Sequence, residues 1–407
     1  MKQEYILIIG LIKEGTEFMI ARELGYKTIV FNRKLSLKEA MNADVPVELC
    51  LNCEKTVLSK AKDYQSKYNI KAVFTLNEYR VPLAAKVREE LGIGRGISYE
   101  AAMSCRCKRV TREKLLKLGE QAVNYYLIDD ETELHNAAEE LGYPVVLKPS
   151  NDAGSNNVFC CKNANEVINA YRTINRESEN SVGQKLEKKV LMEEFLDGPE
   201  FSVESYTQNG ITNVLAITAK KIISPFYPVE KGHTVPALLD KSEENNIKQL
   251  VEKTLGILGV DDSVTHTEVK YTSKGPKIVE VNARPGGDKI PVLVKAVTGY
   301  DLHKIALQLN LGETIEKVGY CKCRPQKADI RFFVAPHDGK VEYKKMCSLK
   351  KDAKIKNLEL NVEDGTYVEK TTSNYNRLGC FVIFDEDDAI IEEYEHCIAV
   401  NKSTCCG

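Results

Sequence analysis

The sequence predicts an α/β chain whose organisation changes part-way along, from a parallel α/β unit to antiparallel strand pairs with helices between them. Three observations carry this. Over roughly the first hundred residues, short apolar runs alternate with helical segments, the pattern of parallel strands covered by helices. Asn209-Gly210 then separates two strand-like runs, a strong hairpin signal. A second hairpin is legible at 265–282, around the turn Thr272-Ser273-Lys274-Gly275.

Residues 5–10, YILIIG, read as a buried strand ending at Gly10. The following helix carries Phe18, Ala21 and Leu24 at core spacing and stops at Gly25. Residues 27–31 and 72–75 are further strands, and Pro82 opens a helix that turns Leu83, Val87 and Leu91 inward before Gly92. The Gly92-Ile93-Gly94-Arg95-Gly96 run follows a helix rather than a strand, so it is read as a connector and not as a dinucleotide loop. A helix with Leu115, Leu116 and Leu118 ends at Gly119, followed by a strand at 125–128, a helix at 131–141 and a strand at 145–148. Residues 190–207 and 211–221 are assigned to one antiparallel sheet, and a single helix to about 290–310. Residues 320–400 are strand-rich and run into an acidic stretch at 385–395.

The chain has 407 residues, 43% hydrophobic and 29% charged, enough for several packed subdomains. A net charge of -2 supplies no global basic field, so nucleic acid is not an expected partner. No apolar run reaches bilayer length, and the stretch from Tyr5 to Ile9 is too short for a signal-peptide core; no membrane partner and a cytoplasmic location are expected. The thirteen cysteines are expected to be reduced. Cys50 and Cys53 form a CxxC without a second pair at zinc-finger spacing. Cys321 with Cys323, and Cys405 with Cys406, are other potential ligand pairs, but buried or incidental thiols are preferred to zinc.

Three segments carry chemistry. On the strand IVEVN, alternation puts Glu280 and Asn282 on one face, and Glu268 on the partner strand can share it. Two carboxylates and an amide oxygen suit Mg²⁺, which keeps positions for nucleotide oxygens. Arg284, two residues on, offers a guanidinium to a phosphate or carboxylate. In PVVLKPSNDAGSNNV, Lys148 ends an apolar strand, and Ser150, Asn151, Gly154, Ser155 and Asn156 make a small polar loop able to surround phosphates, though not a Walker loop. In EEFLDGPEFSVE, Glu193, Glu194 and Glu200 punctuate apolar Phe195, Leu196, Phe201 and Val203. That composition fits an adenine and ribose pocket but, read alone, better fits a charged rim around a core hairpin.

In this order the segments resemble the ATP-grasp superfamily, and within it the L-amino acid ligases that make dipeptides, with carnosine synthase a relative. The resemblance implies an N-terminal parallel α/β domain at 1–104, an ATP-grasp small lobe with a phosphate lid at 105–196, a large lobe with the metal site at 197–315 and a small strand-rich region at 316–407. CRCKRVTREKL is similar to the family's C-R-D-K-x-x-x-R segment, with Cys107 in place of the aspartate. This implies Lys108 and Lys148 as the ATP-phosphate lysines. DAGSNNV resembles the glycine-rich lid, keeping Gly154, Ser155 and Val158 but lacking its arginine and one glycine. By the same resemblance, backbone atoms of Glu194 and Leu196 in the linker from Glu193 read adenine, and Glu200 binds ribose. Glu268, Glu280 and Asn282 hold magnesium, for which manganese can substitute, and Arg284 steadies the transferring group. Lys220 and SPFYPVEKGHTVPA resemble the family's K…PxFxVExGHxxP stretch, implying His233 in a Gly-Pro loop lining an amino-acid pocket, supported by Glu230. Glu78 falls where the first domain reaches the active site. The activity implied is ATP-dependent joining of a carboxylate to an amine through an acyl phosphate, releasing ADP and phosphate, with amino acids as substrates and a homodimer compatible. A carrier-thiol acceptor, a carboxylation and a non-catalytic ATP-binding scaffold are the alternatives.

Overall fold

The computed structural model describes residues 3–402 except 13–14, 155, 225–226 and 345, with the backbone alone at 227–228 and 347–348. The N-terminal part is a parallel four-stranded sheet in the order Val45–Glu48, Lys27–Asn32, Glu4–Ile9, Asn69–Phe74. Ile6, Leu7, Ile8 and Ile9 are all buried, because helices cover both faces of a parallel sheet and leave no polar side. One face packs on Val57, Ala61 and Val87 from the helices Glu54–Gln65 and Val81–Leu91. The other packs on Phe18 and Ala21, and on Leu307 from much later in the chain.

The next unit is a four-stranded antiparallel sheet, ordered Tyr125–Ile128, Val190–Glu194, Val145–Pro149, Phe159–Cys161. Helices Leu134–Leu141 and Ala164–Arg176 cover one face through Leu134, Ala138, Val167 and Ile174, against Leu147 and Met192. Alternation therefore sends Val146, Lys148, Leu191 and Glu193 to the other face.

The third unit is an antiparallel sheet of eight strands: Gly275–Asn282, Ser263–Thr272, Glu200–Gln208, Ile211–Ser224, Tyr227–Val235, Ala328–Phe333, Gly379–Phe384 and Ile355–Leu360. Helix Lys241–Leu258 packs Leu250, Val251 and Leu255 against Val203, Val269 and Val281. This lobe and the smaller one face each other across a cleft.

Several expectations need correction. Residues 190–207 are two strands in two different sheets, since the chain crosses from lobe to lobe at 195–199. The leucine-rich helix before Gly119 is preceded by another, Tyr99–Arg106. Cys107 adopts an extended backbone between them, so that Lys108 begins Lys108–Leu115. The helix at 290–310 is two, Ile290–Thr298 and Leu302–Leu311, divided at Gly299 in the left-handed conformation. The acidic stretch is partly helix, Asp388–Glu395, because Asp387 caps it through the backbone N–H of Ile390. Cys321 and Cys323 are disulfide-bonded rather than reduced. Cys405 and Cys406 lie outside the described residues. No described helix is long and apolar enough to cross a membrane.

Candidate active site

The two lobes line one cavity, into which Lys108, Lys148, Glu200, Lys220, Glu268 and Glu280 all project. Each gets there by strand parity or a helix start. Glu268 stands directly opposite Glu280 in the pairing of Ser263–Thr272 with Gly275–Asn282, so both carboxylates point to one side. Asn282 is buried on that face but lies outside the cavity lining, opposite His266. Lys108, at the first position of its helix, donates from Nζ to the Asp152 carbonyl at 2.8 Å and to Glu280 Oε1 at 3.1 Å. It thereby ties the phosphate-loop backbone to the carboxylate pair.

Behind this surface lies a buried ion cluster. Glu193 accepts from Arg112 Nε at 2.6 Å and from Lys148 Nζ at 2.7 Å. Burial would raise the Glu193 carboxyl, but the two cations outweigh it and hold it at about 2. Burial depresses the Lys148 ammonium, with Arg112 and Lys108 pushing the same way against Glu193. Arg112 also donates to the Val279 carbonyl at 2.8 Å, bridging the lobes. The sequence reading did not select Arg112, although its spacing of four from Lys108 on one helix was the available signal.

The linker residues are engaged by protein groups. The Glu194 carboxylate pairs with Lys277 at 2.6 Å and accepts the Asn124 backbone N–H, while its own N–H donates to the Asn124 carbonyl. The Leu196 carbonyl accepts from Lys270 Nζ at 3.2 Å. Glu193, Glu194 and Leu196 therefore stand outside the cavity lining. Ser155 lies outside the described residues.

On the large lobe, Lys220 is surrounded by Glu200 at 2.6 Å, Glu230 at 2.8 Å and Glu268 at 3.0 Å. Burial alone would lower this ammonium, but the three carboxylates raise it well above the ordinary lysine value. His266 joins the same group, with Nδ1 2.7 Å from Glu204 and Nε2 3.4 Å from Glu268. Burial would lower the imidazole, yet Glu204 and Glu268 push it up to about 10. Glu268 is held well below the carboxylate range by Lys220 and His266, against its burial. Neither Glu204 nor His266 emerged from the sequence, because charged residues on a strand read as a solvated face.

His233 is not in a loop. It lies in Tyr227–Val235, paired on both sides, opposite Lys220 and Ile330. The second partner strand, Ala328–Phe333, starts almost a hundred residues later, so a local reading saw only the Gly and Pro. A bulge pairs Ile222 with Glu230 and Lys221 with Gly232, leaving Lys231 as the extra residue. That brings Glu230 and His233, three apart, to one face. His233 Nε2 lies 3.6 Å from Asp288 and 3.9 Å from Glu230. These three offer ligand atoms within 4.8 Å of one another, but Arg377 already holds both Asp288 oxygens at 2.7 and 2.8 Å.

Arg284 points away from the shared cavity. Its Nε pairs with Glu78 at 2.8 Å, and it lines a smaller cavity with Val73 and Phe74 of the N-terminal sheet.

Hard oxygen donors opposite clustered lysines, in a cleft between two antiparallel lobes, fit a metal-bound polyphosphate. A family model for the ATP-grasp domain matches residues 141–292, which include Lys148, Glu200, Lys220, Glu268 and Glu280. This chain carries an ATP-grasp domain. The alanine–anticapsin ligase of Bacillus subtilis (strain 168) is 25% identical over 272 residues, covering 63% of this chain and 57% of that protein. The chain thus spans little more than half the length of that relative. Dapdiamide A synthase of Enterobacter agglomerans is 24% identical over 353 residues, 83% of this chain and 80% of that one. The structure of an L-amino acid ligase from Bacillus licheniformis superposes with a TM-score of 0.83 over 99% of both chains, at 23% identity. At that identity the likeness establishes the fold, in which the ATP-grasp lobes stand beside a parallel N-terminal sheet.

Proposed function

We propose that this protein is an ATP-dependent carboxylate–amine ligase that activates a carboxylate as an acyl phosphate and joins it to an amine, with amino acids on both sides of the new bond. The observation that carries the reading is the convergence of Lys108 and Lys148 on Glu268 and Glu280 across one cavity. The likeness to the alanine–anticapsin ligase and to dapdiamide A synthase supports it. The division at 104, 196 and 315 and a cytoplasmic location belong to the same reading.

Glu268 and Glu280, with Asn282 behind them, would hold Mg²⁺, which neutralises charge on the β- and γ-phosphates. Lys108 and Lys148 would bind phosphate oxygens and Glu200 would take ribose, while adenine would meet only main-chain atoms of Glu194 and Leu196, since the Glu193 and Glu194 carboxylates are engaged by Arg112, Lys148 and Lys277. Lys220 offsets part of the mutual repulsion among Glu200, Glu230 and Glu268. The protein acts chiefly by positioning and charge stabilisation, as phosphoryl transfer requires. The substrate carboxylate attacks the γ-phosphorus and ADP leaves. The amine then attacks the acyl carbon, releasing phosphate. Arg284, which pairs with Glu78 and lines the neighbouring cavity, would have to turn into the cleft to steady the oxyanion that develops there. His233 and Glu230 would line the amino-acid pocket. The test is mass spectrometry of products formed from ATP, Mg²⁺ and mixed amino acids. A dipeptide with ADP and phosphate is the expected result. No peptide from any pair, with a thioester on an added carrier protein, overturns it in favour of a thiol acceptor.

A further inference from the structure

His266 occupies a place between two carboxylates that the cleft itself does not require. It stands opposite Glu204 on one neighbouring strand and opposite Asn282 on the other. Its two ring nitrogens face Glu204 Oε1 at 2.7 Å and Glu268 Oε1 at 3.4 Å. Glu204 is wholly buried and is itself fixed by the Ser202 hydroxyl, which donates to Oε1 at 2.9 Å. Gly286 closes the remaining side. A Cβ there would stand 2.7 Å from His266 Nδ1 and 3.3 Å from Glu204 Oε2, so the ring has no room to swing towards it.

The order of contacts runs in one direction: Ser202 fixes Glu204, Glu204 fixes the ring, and the ring reaches Glu268. Lys220 reaches the same oxygen of Glu268, at 3.0 Å. Both donors converge on Oε1, and Oε2 is the oxygen left for a cation. Groups that pin a ligating carboxylate typically matter about ten- to a hundredfold in metal affinity.

We infer that His266, oriented by Glu204, is a positioning residue that fixes the carboxylate of Glu268 for divalent-cation binding. The inference rests on the proposed role of Glu268 as a metal ligand. His266 acts through Glu268 and touches neither nucleotide nor reacting atoms.

Mn²⁺ titrated into the full chain with ADP present, with free Mn²⁺ followed by electron paramagnetic resonance, tests this. ADP affinity in chelator and the metal-free melting temperature are measured alongside. His266→Ala is expected to weaken Mn²⁺ binding about tenfold or more, with ADP affinity in chelator unchanged within about twofold. His266→Gln, whose amide can donate where Nε2 does, should recover most of the loss. If His266→Ala does not fold, Glu204→Gln decides. A loss of about threefold or more in Mn²⁺ affinity supports the inference, and wild-type affinity overturns it. Wild-type Mn²⁺ affinity in His266→Ala, or a folded His266→Gln as weak as His266→Ala, also overturns it. Should the wild-type protein bind no Mn²⁺ with ADP, the metal reading of Glu268 fails as well. Wild-type binding with an unaffected His266→Ala sinks only the present inference.

Discussion

The two walls of the cleft each bury a lysine, Lys148 at 6% side-chain exposure and Lys220 at 3%, and the two titrate in opposite directions. Burial lowers Lys148, and its one paired carboxylate, Glu193, is shared with Arg112. Burial also opposes the charge on Lys220, but three carboxylates outvote it. The comparison teaches that burial sets the cost of a charge while the local count of opposite charges sets its sign. It also separates the roles of the walls. The small-lobe cluster, Arg112, Lys148 and Glu193, has one cation in surplus and suits phosphate. The large-lobe group, Lys220 with Glu200, Glu230 and Glu268, has two anions in surplus and suits a divalent cation.

The contrast is broken most severely by removing the shared anion. Glu193→Gln leaves Arg112 and Lys148 buried without a counter-ion, and is expected to cost roughly 3–5 kcal/mol in urea denaturation without nucleotide. The same carboxyl gives the pH dependence its sign. Its folded value of about 2 lies below its ordinary 4.5, so its stabilisation is complete above about 4.5 and is lost as pH falls towards 2. Acid unfolding of Glu193→Gln should be flatter over that window. A wild-type slope in the variant would mean that other carboxylates control acid stability.

On the opposite wall, Glu280→Gln keeps the volume and removes one anion. ADP formation should fall at least about a hundredfold, with the far-ultraviolet circular dichroism unchanged. Turnover at the wild-type rate in Mg²⁺ would put the metal elsewhere. Lys148→Ala should weaken ATP binding roughly tenfold in calorimetry, the worth of one charge-assisted hydrogen bond. Unchanged affinity would assign the phosphates to other groups. His233→Ala reaches the anionic group only through Glu230, 3.9 Å away. It should change which amino acids are accepted while ATP affinity moves less than about twofold, a split visible by comparing product spectra with nucleotide titrations.

How much of this was legible depends on the distance over which each contact acts. Alternation makes the shared face of Glu280 and Asn282 readable, but Glu268 stands opposite Glu280 because a bulge at Val279 shifts the register that the turn sets, and that shift is not legible in the sequence. Lys148 was readable as the polar end of an apolar strand. Glu193 is legible as the start of the linker, but the pairing of its carboxylate with Arg112, 81 residues earlier, is not. The neighbours of His233 were hidden twice, by a bulge that resets alternation and by Asp288 and Arg377, themselves 89 residues apart.

The sequence by itself determined the change from parallel to antiparallel organisation, the two hairpins and the residue types of the cleft. Those follow from periodicity and turn chemistry, which act over a few residues. Only the tertiary structure decided which charges face which. Lys108 meets Glu280 across 172 residues, and His266 meets Glu204 across 62. Such partners are chosen by how sheets pair and lobes close, because a charge taken out of water is stabilised by whatever opposite charge the fold brings within a few ångströms.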